Sequence, residues 1–387
     1  CIRDRFNTIA PPSEQFIFVR NPYFHRVDAQ GHQLPYIDTV EMNISSPNLI
    51  PAKTGAGDSD LQGRYVTFED YTFLKQSEKR QGYNVLLWKS AVGSKVAIRP
   101  NLNFKDDVWR AVMQDVRFRQ ALSLGIDRHE INMVTFFGLG KEVADSPLKQ
   151  SPLFSQEYAS AWSAHDPVLA NQLLDQAGLT ERDDDGVRLL PDGRRAELII
   201  ETAGESTVET DVLQLITDHW QQLGLKVFTR ATQRDIFRSR LKAGNTMMSV
   251  WSGLDNAIPR PSMPPEELAP TNDSQTQWPQ WGLYGMTNGR SGNEPDLPSA
   301  KRLLTLWGDW QQSRDDAIRE RIWNDMLKIY TSEVFSIGTV NSTLQPIVVN
   351  KTLRNVPKEE VYSFQPGSYF GVFMVDTFWF KRGTGSD

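Results

Sequence analysis

Among 387 residues there is one cysteine, Cys1. That excludes a disulfide within the chain and a thiolate metal site. The five histidines stand apart, at positions 25, 32, 129, 165 and 219, and form no HxxH or HxxxH pair. A metal centre is therefore not expected. No apolar run approaches the ~18 residues of a membrane-spanning helix. Basic charge is in deficit: 42 Lys and Arg stand against 48 Asp and Glu, for a net charge of −6. With no basic field to displace counterions from phosphates, a nucleic-acid partner is not expected. The sequence also lacks G-x-S-x-G, H-E-x-x-H, P-loop and dinucleotide fingerprints. Glu266-Glu267 and Asp183-Asp184-Asp185 offer carboxylates, but adjacent acids on a loop are not a spaced acid–base pair. No catalytic residue and no cofactor is expected.

What is present is an α/β rhythm. Residues 207–223 carry Val208, Val212, Ile216, Trp220 and Leu223 at helical spacing. Strand-like residues 225–231 follow, then a helix over 233–243 and a strand over 247–251. Earlier, Asp166 is placed to cap a helix whose first residue is Pro167. Residues 187–190 and 198–202 flank Pro191-Asp192-Gly193 as the arms of a hairpin. Residues 16–19 and 39–44 read as strands, the second half-buried, and residues 66–79 as a helix. Residues 83–88, 96–100, 335–340, 345–349 and 370–380 read as further strands. Residues 253–292 form a long irregular stretch, which in a compact domain is a functional loop more often than a connector.

The most informative stretch is residues 115–131, DVRFRQALSLGIDRHEI. Asp115 caps one short helix, Gly125 ends it and Asp127 caps a second. Val116, Phe118, Ala121 and Leu122 form the apolar face, leaving Arg117, Arg119 and Gln120 toward water. The wording VRFRQALSLGIDR is similar to a segment of the family 5 extracellular solute-binding proteins. Further matches follow in family order. They are Arg20-Asn21-Pro22-Tyr23, Leu34-Pro35-Tyr36-Ile37-Asp38, Ser59-Asp60-Leu61-Gln62, His165-Asp166-Pro167 through Ala177-Gly178-Leu179, Asp185-Gly186-Val187-Arg188, Pro191-Asp192-Gly193 and residues 351–357.

The resemblance implies a type II periplasmic-binding-protein-like α/β fold of two lobes, with mixed sheets and flanking helices. It implies a lobe built from both chain ends, over 13–70 and 343–382, and a central lobe over 71–342. Residues 1–12 and 383–387 are expected to be flexible ends, with Cys1 a junction residue. Relative to the family the end-built lobe reads as incomplete, its first segment either removed or supplied by a separate chain. The implied function is capture of a small polar oligomer for a membrane ABC permease, at the periplasmic or extracellular face of the membrane, with hinge closure over the ligand. An oligopeptide comes first and an oligosaccharide such as an α-galactoside second. A ligand-sensing module without transport and a carboxylate-dependent hydrolase are the alternatives.

For the ligand site, Trp251-Ser252-Gly253-Leu254-Asp255-Asn256 follows a predicted strand, and strand ends are where α/β lobes hold ligands. Family members place a Trp and an acid near this point, and in peptide-binding members the acid holds the ligand's amino terminus. Here Leu254 falls where that acid would stand and Asp255 comes one residue later. Trp251, Asp255 and Asn256 are the expected contacts. Trp278, Trp281 and Tyr284, in an amide-rich stretch, are added as aromatic platforms, at least one of them expected with Trp251 and Asp255 at the cleft between the lobes.

Overall fold

A computed structural model describes residues 3–10 and 12–381. Cys1 and the tail 383–387, expected to be a junction residue and a flexible end, lie outside the described residues. The chain forms two compact units, Cys1–Ser90 with Leu344–Asp387, and Ala91–Thr343.

The first unit is built from both ends of the chain. Its first boundary falls at Ser90 rather than at residue 70. The reason is strand pairing: Tyr83–Ser90 runs antiparallel to Leu344–Asn350, in register from Leu344↔Lys89 to Asn350↔Tyr83. The helix Tyr71–Gln81 buries Leu74 with Tyr83, Val85 and Val348 on one face of that sheet. Trp88, Ile347, Val349, Leu353, Tyr362 and Phe378 form the cluster on the other. Val361–Tyr362 and Leu61–Gln62 complete four strands. Residues 370–380, expected to be a strand, form two 3-10 turns and only the short strand Trp379–Phe380.

A separate antiparallel sheet joins Arg5–Asn7, Gln15–Arg20 and Thr39–Asn43. The expected flexible lead-in therefore contains a paired strand, with Asn7 opposite Phe18. The register places Phe18 opposite Val40 and Phe16 opposite Met42, so these four share a face. Val40 and Met42 are exposed, although the alternation predicted a half-buried strand.

The second unit holds a five-stranded mixed sheet in the order Ile337–Gly338, Ala97–Pro100, Met248–Trp251, Glu197–Thr202, Lys226–Ala231. The last three run parallel, and Ala97–Pro100 is antiparallel to both of its neighbours. The helix Thr207–Gln221 connects Glu197–Thr202 to Lys226–Ala231, and Arg234–Lys242 leads on to Met248–Trp251. Val212, Leu213, Ile216 and Trp220 are buried in the main core with Leu198, Ile200 and Val250. Glu197–Thr202 is not a hairpin arm. Its partners are parallel strands, and the turn at Pro191-Asp192-Gly193 is closed instead by the bridge Leu189↔Arg195 and by the Leu190 N–H donating to the Arg194 carbonyl at 2.7 Å.

The helix pair forms as Val116–Leu124 and Arg128–Phe136, and Asp115 and Asp127 accept the N–H groups of Arg117 and Glu130. Gly125 keeps right-handed backbone; it is small because a Cβ there would lie 2.5 Å from Leu223 Cδ1. Arg119, expected toward water, is fully buried. Its guanidinium donates to the Met113 and Glu333 carbonyls and pairs with the Glu333 carboxylate at 2.8 Å. Helical periodicity assigns charged residues outward by default, and this arginine is kept inside by a full set of acceptors. Among the described residues no helix is long and apolar enough to cross a membrane.

Candidate functional site

In the second unit three parallel strands end at one edge of the sheet, where Ala97–Pro100 begins. The short segments after these strand ends are freed from the ladder and can face a ligand. They carry Glu205 and Glu209 after Glu197–Thr202, Arg234 after Lys226–Ala231, and the 251–256 segment after Met248–Trp251. Lys95 stands just before Ala97.

Two glycines shape the edge. The Gly253 N–H donates to the Ser94 carbonyl and the Gly93 N–H to the Leu254 carbonyl, each at 2.8 Å. The Leu254 N–H donates to Asp145 Oδ1 at 2.8 Å. A Cβ on Gly253 would lie 2.2 Å from that oxygen and 2.5 Å from Ser94 N, so no larger residue fits. Behind the segment Arg99 donates to the Ser252 carbonyl at 2.7 Å and stands 3.8 Å from Asp145 Oδ2.

Asp255 and Asn256 are held through their backbone. Glu267 accepts their N–H groups at 2.7 and 3.2 Å. The Ser252 hydroxyl donates to Asp255 Oδ1 at 3.3 Å. The carboxylates of Asp145 and Asp255 thus share one guanidinium, that of Arg99, while Glu267 faces both acids. Burial pushes all three above the usual carboxylate range, Glu267 to about 7, and Asp255 and Asp145 add to the shift of Glu267.

Trp251 is half-buried. The Arg234 guanidinium lies 4.8 Å from its ring centroid, and Phe237 runs parallel to it at 6.5 Å. Arg234 is itself paired with Glu205.

Trp278 and Trp281 lie elsewhere. Leu102 donates to the Gln277 carbonyl, and Asn103 Oδ1 accepts the N–H groups of Gln280 and Trp281. Asn101 bonds to Met247, so this region adjoins the opposite edge of the sheet, where Met248–Trp251 begins. Trp278 is fully buried, edge-on to Phe335 at 4.9 Å, and Trp281 is 2% exposed. Reading these two as platforms beside Trp251 is therefore corrected: they are core. Residues 279–286, read as irregular, form the helix Pro279–Met286, on which Tyr284 is half-buried. The structure thus brings together Trp251, Asp255 and Asn256 and separates Trp278 and Trp281 from them. Sequence reasoning missed Lys95, Arg99, Asp145 and Glu209, and set Glu267 aside as a loop acid. The pattern Ser206-x-x-Glu209 was the one available signal, and it reads as a capping box. Among the described residues no group of three His, Cys, Asp or Glu side chains is placed to hold a metal ion.

Two α/β units, one of them built from both chain ends, with charged groups at strand ends, are the architecture of a solute-binding protein. The model of the bacterial extracellular solute-binding proteins, family 5 Middle, matches residues 8–275, and the chain belongs to that family. The periplasmic alpha-galactoside-binding protein of Rhizobium meliloti (strain 1021) is 22% identical over 363 residues, covering 89% of this chain and 50% of that protein. The structure of the oligopeptide-binding protein OppA is 31% identical with a TM-score of 0.67, covering 98% of this chain and 62% of that one. The periplasmic binding protein MelB of Agrobacterium fabrum C58, in complex with stachyose, is 20% identical with a TM-score of 0.75. That match covers 99% of this chain and 58% of MelB, and supports the fold alone. The chain spans half of the curated α-galactoside relative's length and less than two thirds of these two structures.

Proposed function

We propose that this chain is the ligand-binding part of a receptor for an ABC import system, working at the periplasmic or extracellular face with a membrane permease as partner. Its ligand is a short, charged oligomer, a peptide before a neutral oligosaccharide. One observation carries the preference. The strand-end edge of the second unit presents Lys95, Glu209, Asp255 and the Glu205–Arg234 pair, whereas Trp251 is covered by Arg234 and Phe237 and Trp278 and Trp281 are core. Sugars are gripped on bare aromatic faces, while peptides bring charged termini that such an edge can match. Asp255 and Asn256 are the proposed polar contacts beside Trp251. Binding without turnover is part of the same proposal.

An oligosaccharide is the second reading, favoured by a group in the first unit. There the Arg64 guanidinium lies 5.1 and 5.3 Å from the Tyr65 and Tyr369 ring centroids, and the exposed Phe364 ring lies 5.6 Å from Tyr369. The exposed face of Phe16, Phe18, Val40 and Met42 is proposed to receive further polypeptide.

Isothermal titration of the purified chain with trialanine and with stachyose tests the reading, together with mass spectrometry of any co-purified ligand. Trialanine is expected to bind and neither compound to be consumed. Sustained hydrolysis of either, abolished by a single carboxylate substitution, would replace the receptor reading with an enzymatic one.

A further inference from the structure

The segment that leaves the central strand of the second unit is gripped by its backbone. The Ser252 carbonyl accepts from Arg99 at 2.7 Å, and the Leu254 N–H donates to Asp145 Oδ1 at 2.8 Å. The Asp255 N–H donates to Glu267 Oε2 at 2.7 Å and the Asn256 N–H to Glu267 Oε1 at 3.2 Å. Ionisable side chains from distant parts of the chain thus hold one short run of backbone. A side chain that fixes the backbone beside a binding residue fixes where that residue stands.

The group is a poor device for stability. Asp145 is 1% exposed and Arg99 8%, yet they stand 3.8 Å apart without a hydrogen bond between them. Asp145 Oδ2, beside the Ser336 hydroxyl, and Arg99 Nε make no hydrogen bond among the described residues. Buried charges with orphaned atoms cost more than packed apolar groups would in the same place. What the group does supply is position, because each member ends on the segment that carries Trp251, Asp255 and Asn256.

Glu267 is the member whose grip depends on a proton. Each of its oxygens serves a different N–H, and an ionised carboxylate accepts on both. Protonation turns one oxygen into a hydroxyl, a donor facing a donor, and one of the two backbone bonds is weakened or lost. The surroundings set where this happens. Asp255 and Asp145 face Glu267 from the held segment and from beneath it, and Tyr330 faces it from the helix Asp316–Ser332. Arg99 faces the two aspartates and Tyr330. Burial, Asp255 and Asp145 favour the proton on Glu267, the two N–H groups oppose it, and the balance falls at about 7.

We propose that Glu267 is a positioning residue for ligand binding, and that its protonation releases Asp255 or Asn256 from the binding geometry. This rests on the receptor reading above, in which these two residues contact ligand, and adds to it an affinity that acid removes. Ligand needs the ionised form, so affinity is full above about 7 and is lost as pH falls below that value.

The test compares the full chain with Glu267→Gln at pH 7.5 and pH 5.5. Hydrogen exchange resolved to single amides, expressed as protection factors, needs no ligand. In the unsubstituted chain the protection of Asp255 or Asn256 should fall about 10-fold or more at pH 5.5, relative to the helix Thr207–Gln221, the range of a hydrogen bond to a charged group. Calorimetry uses trialanine and stachyose, the second free of titrating groups. Binding to the unsubstituted chain should weaken by about 10- to 30-fold at pH 5.5, as the ionised fraction of a group titrating near 7 falls to a few per cent. In Glu267→Gln both quantities should be low at pH 7.5 and level between the two pH values. Titration of the peptide itself is common to both chains and cancels. Level protection in the unsubstituted chain would overturn the release, and that arm needs no variant to fold. A Glu267→Gln chain that binds more weakly but keeps the parent's pH dependence would mean a structural role and overturn the proposal too. Release in exchange with affinity unchanged by pH overturns the link to ligand and leaves the receptor reading standing. If neither probe binds at either pH, both fall.

Discussion

The carboxylate of Glu267 accepts the backbone N–H of Asp255 at 2.7 Å and so fixes the loop that leaves the central strand of the second unit. This acid is raised to about 7, mainly by burial and then by Asp255 and Asp145. Its ordinary value is 4.5. Between those two values the folded chain holds a proton that the unfolded chain has released, so this group's contribution to stability falls as pH rises from about 4.5 to about 7. Glu267→Gln removes the titration. The unsubstituted chain should therefore gain thermal stability on acidification from pH 8 to 5.5 relative to Glu267→Gln. Melting curves of the two that stay parallel across that window would refute the assignment.

Arg128 is buried, and among the described residues no carboxylate lies within ion-pair distance of it. Its guanidinium donates to the carbonyls of Gly338, Ser123 and Ser163 and to the Ser123 hydroxyl. Burial lowers it to about 10, which still leaves it protonated at neutral pH. Arg128→Met would orphan these oxygens, at about 1–3 kcal/mol for each one left unsatisfied. An unfolding free energy, from urea titration, lower by roughly 3 kcal/mol or more is expected. Arg128→Lys should recover little, because an ammonium cannot reproduce the fork. An unfolding free energy within about 1 kcal/mol of the parent for either variant would contradict this account.

Trp278 and Trp251 should separate stability from binding. Trp278→Ala empties a core site and should cost about 3–5 kcal/mol. Below its melting temperature, the ratio of trialanine to stachyose affinity should stay at the parent value. Trp251→Ala, on the strand-end edge, should change that ratio while costing less stability. The reverse pattern in paired melting and titration experiments would return Trp278 to the ligand site.

Phe16, Phe18, Val40 and Met42 make an apolar sheet face with Val40 and Met42 exposed, and such faces promote association. The double substitution Val40→Lys, Met42→Lys should shift the chain toward monomer in sedimentation velocity. Its melting temperature should hardly change, because exposed side chains contribute little to the core. An unchanged sedimentation profile at high concentration would remove this face as an association surface.

Much of the fold was legible because local rules act over a few residues. Asp115, Asp127 and Asp166 each cap the helix that the sequence pattern assigns to them. The helix–strand–helix–strand rhythm of residues 207–251 was read from apolar spacing alone. The candidate site was legible in one part: residues 251–256 follow a strand, and strand ends at a sheet edge are exposed whatever the family. The rest depended on contacts distant in sequence. Arg119 looks like a surface residue until the Glu333 carbonyl, 214 positions away, accepts its Nε–H. Glu267 is one of two adjacent loop acids until the Asp255 and Asn256 N–H groups reach it.

By itself the sequence determined the α/β class, the helix caps and the family, because these follow from spacing and from short ordered motifs. Only the tertiary structure decided which aromatic and charged residues are available to a ligand. Trp251 and Trp278 are chemically alike, yet one stands at the strand-end edge and the other is sealed by Phe335 and Tyr330. Lys95 and Glu209 are 114 residues apart in sequence, and only the sheet brings the segments that carry them to one edge. Burial and pairing are properties of surroundings that the chain assembles from distant segments, so no local pattern can encode them.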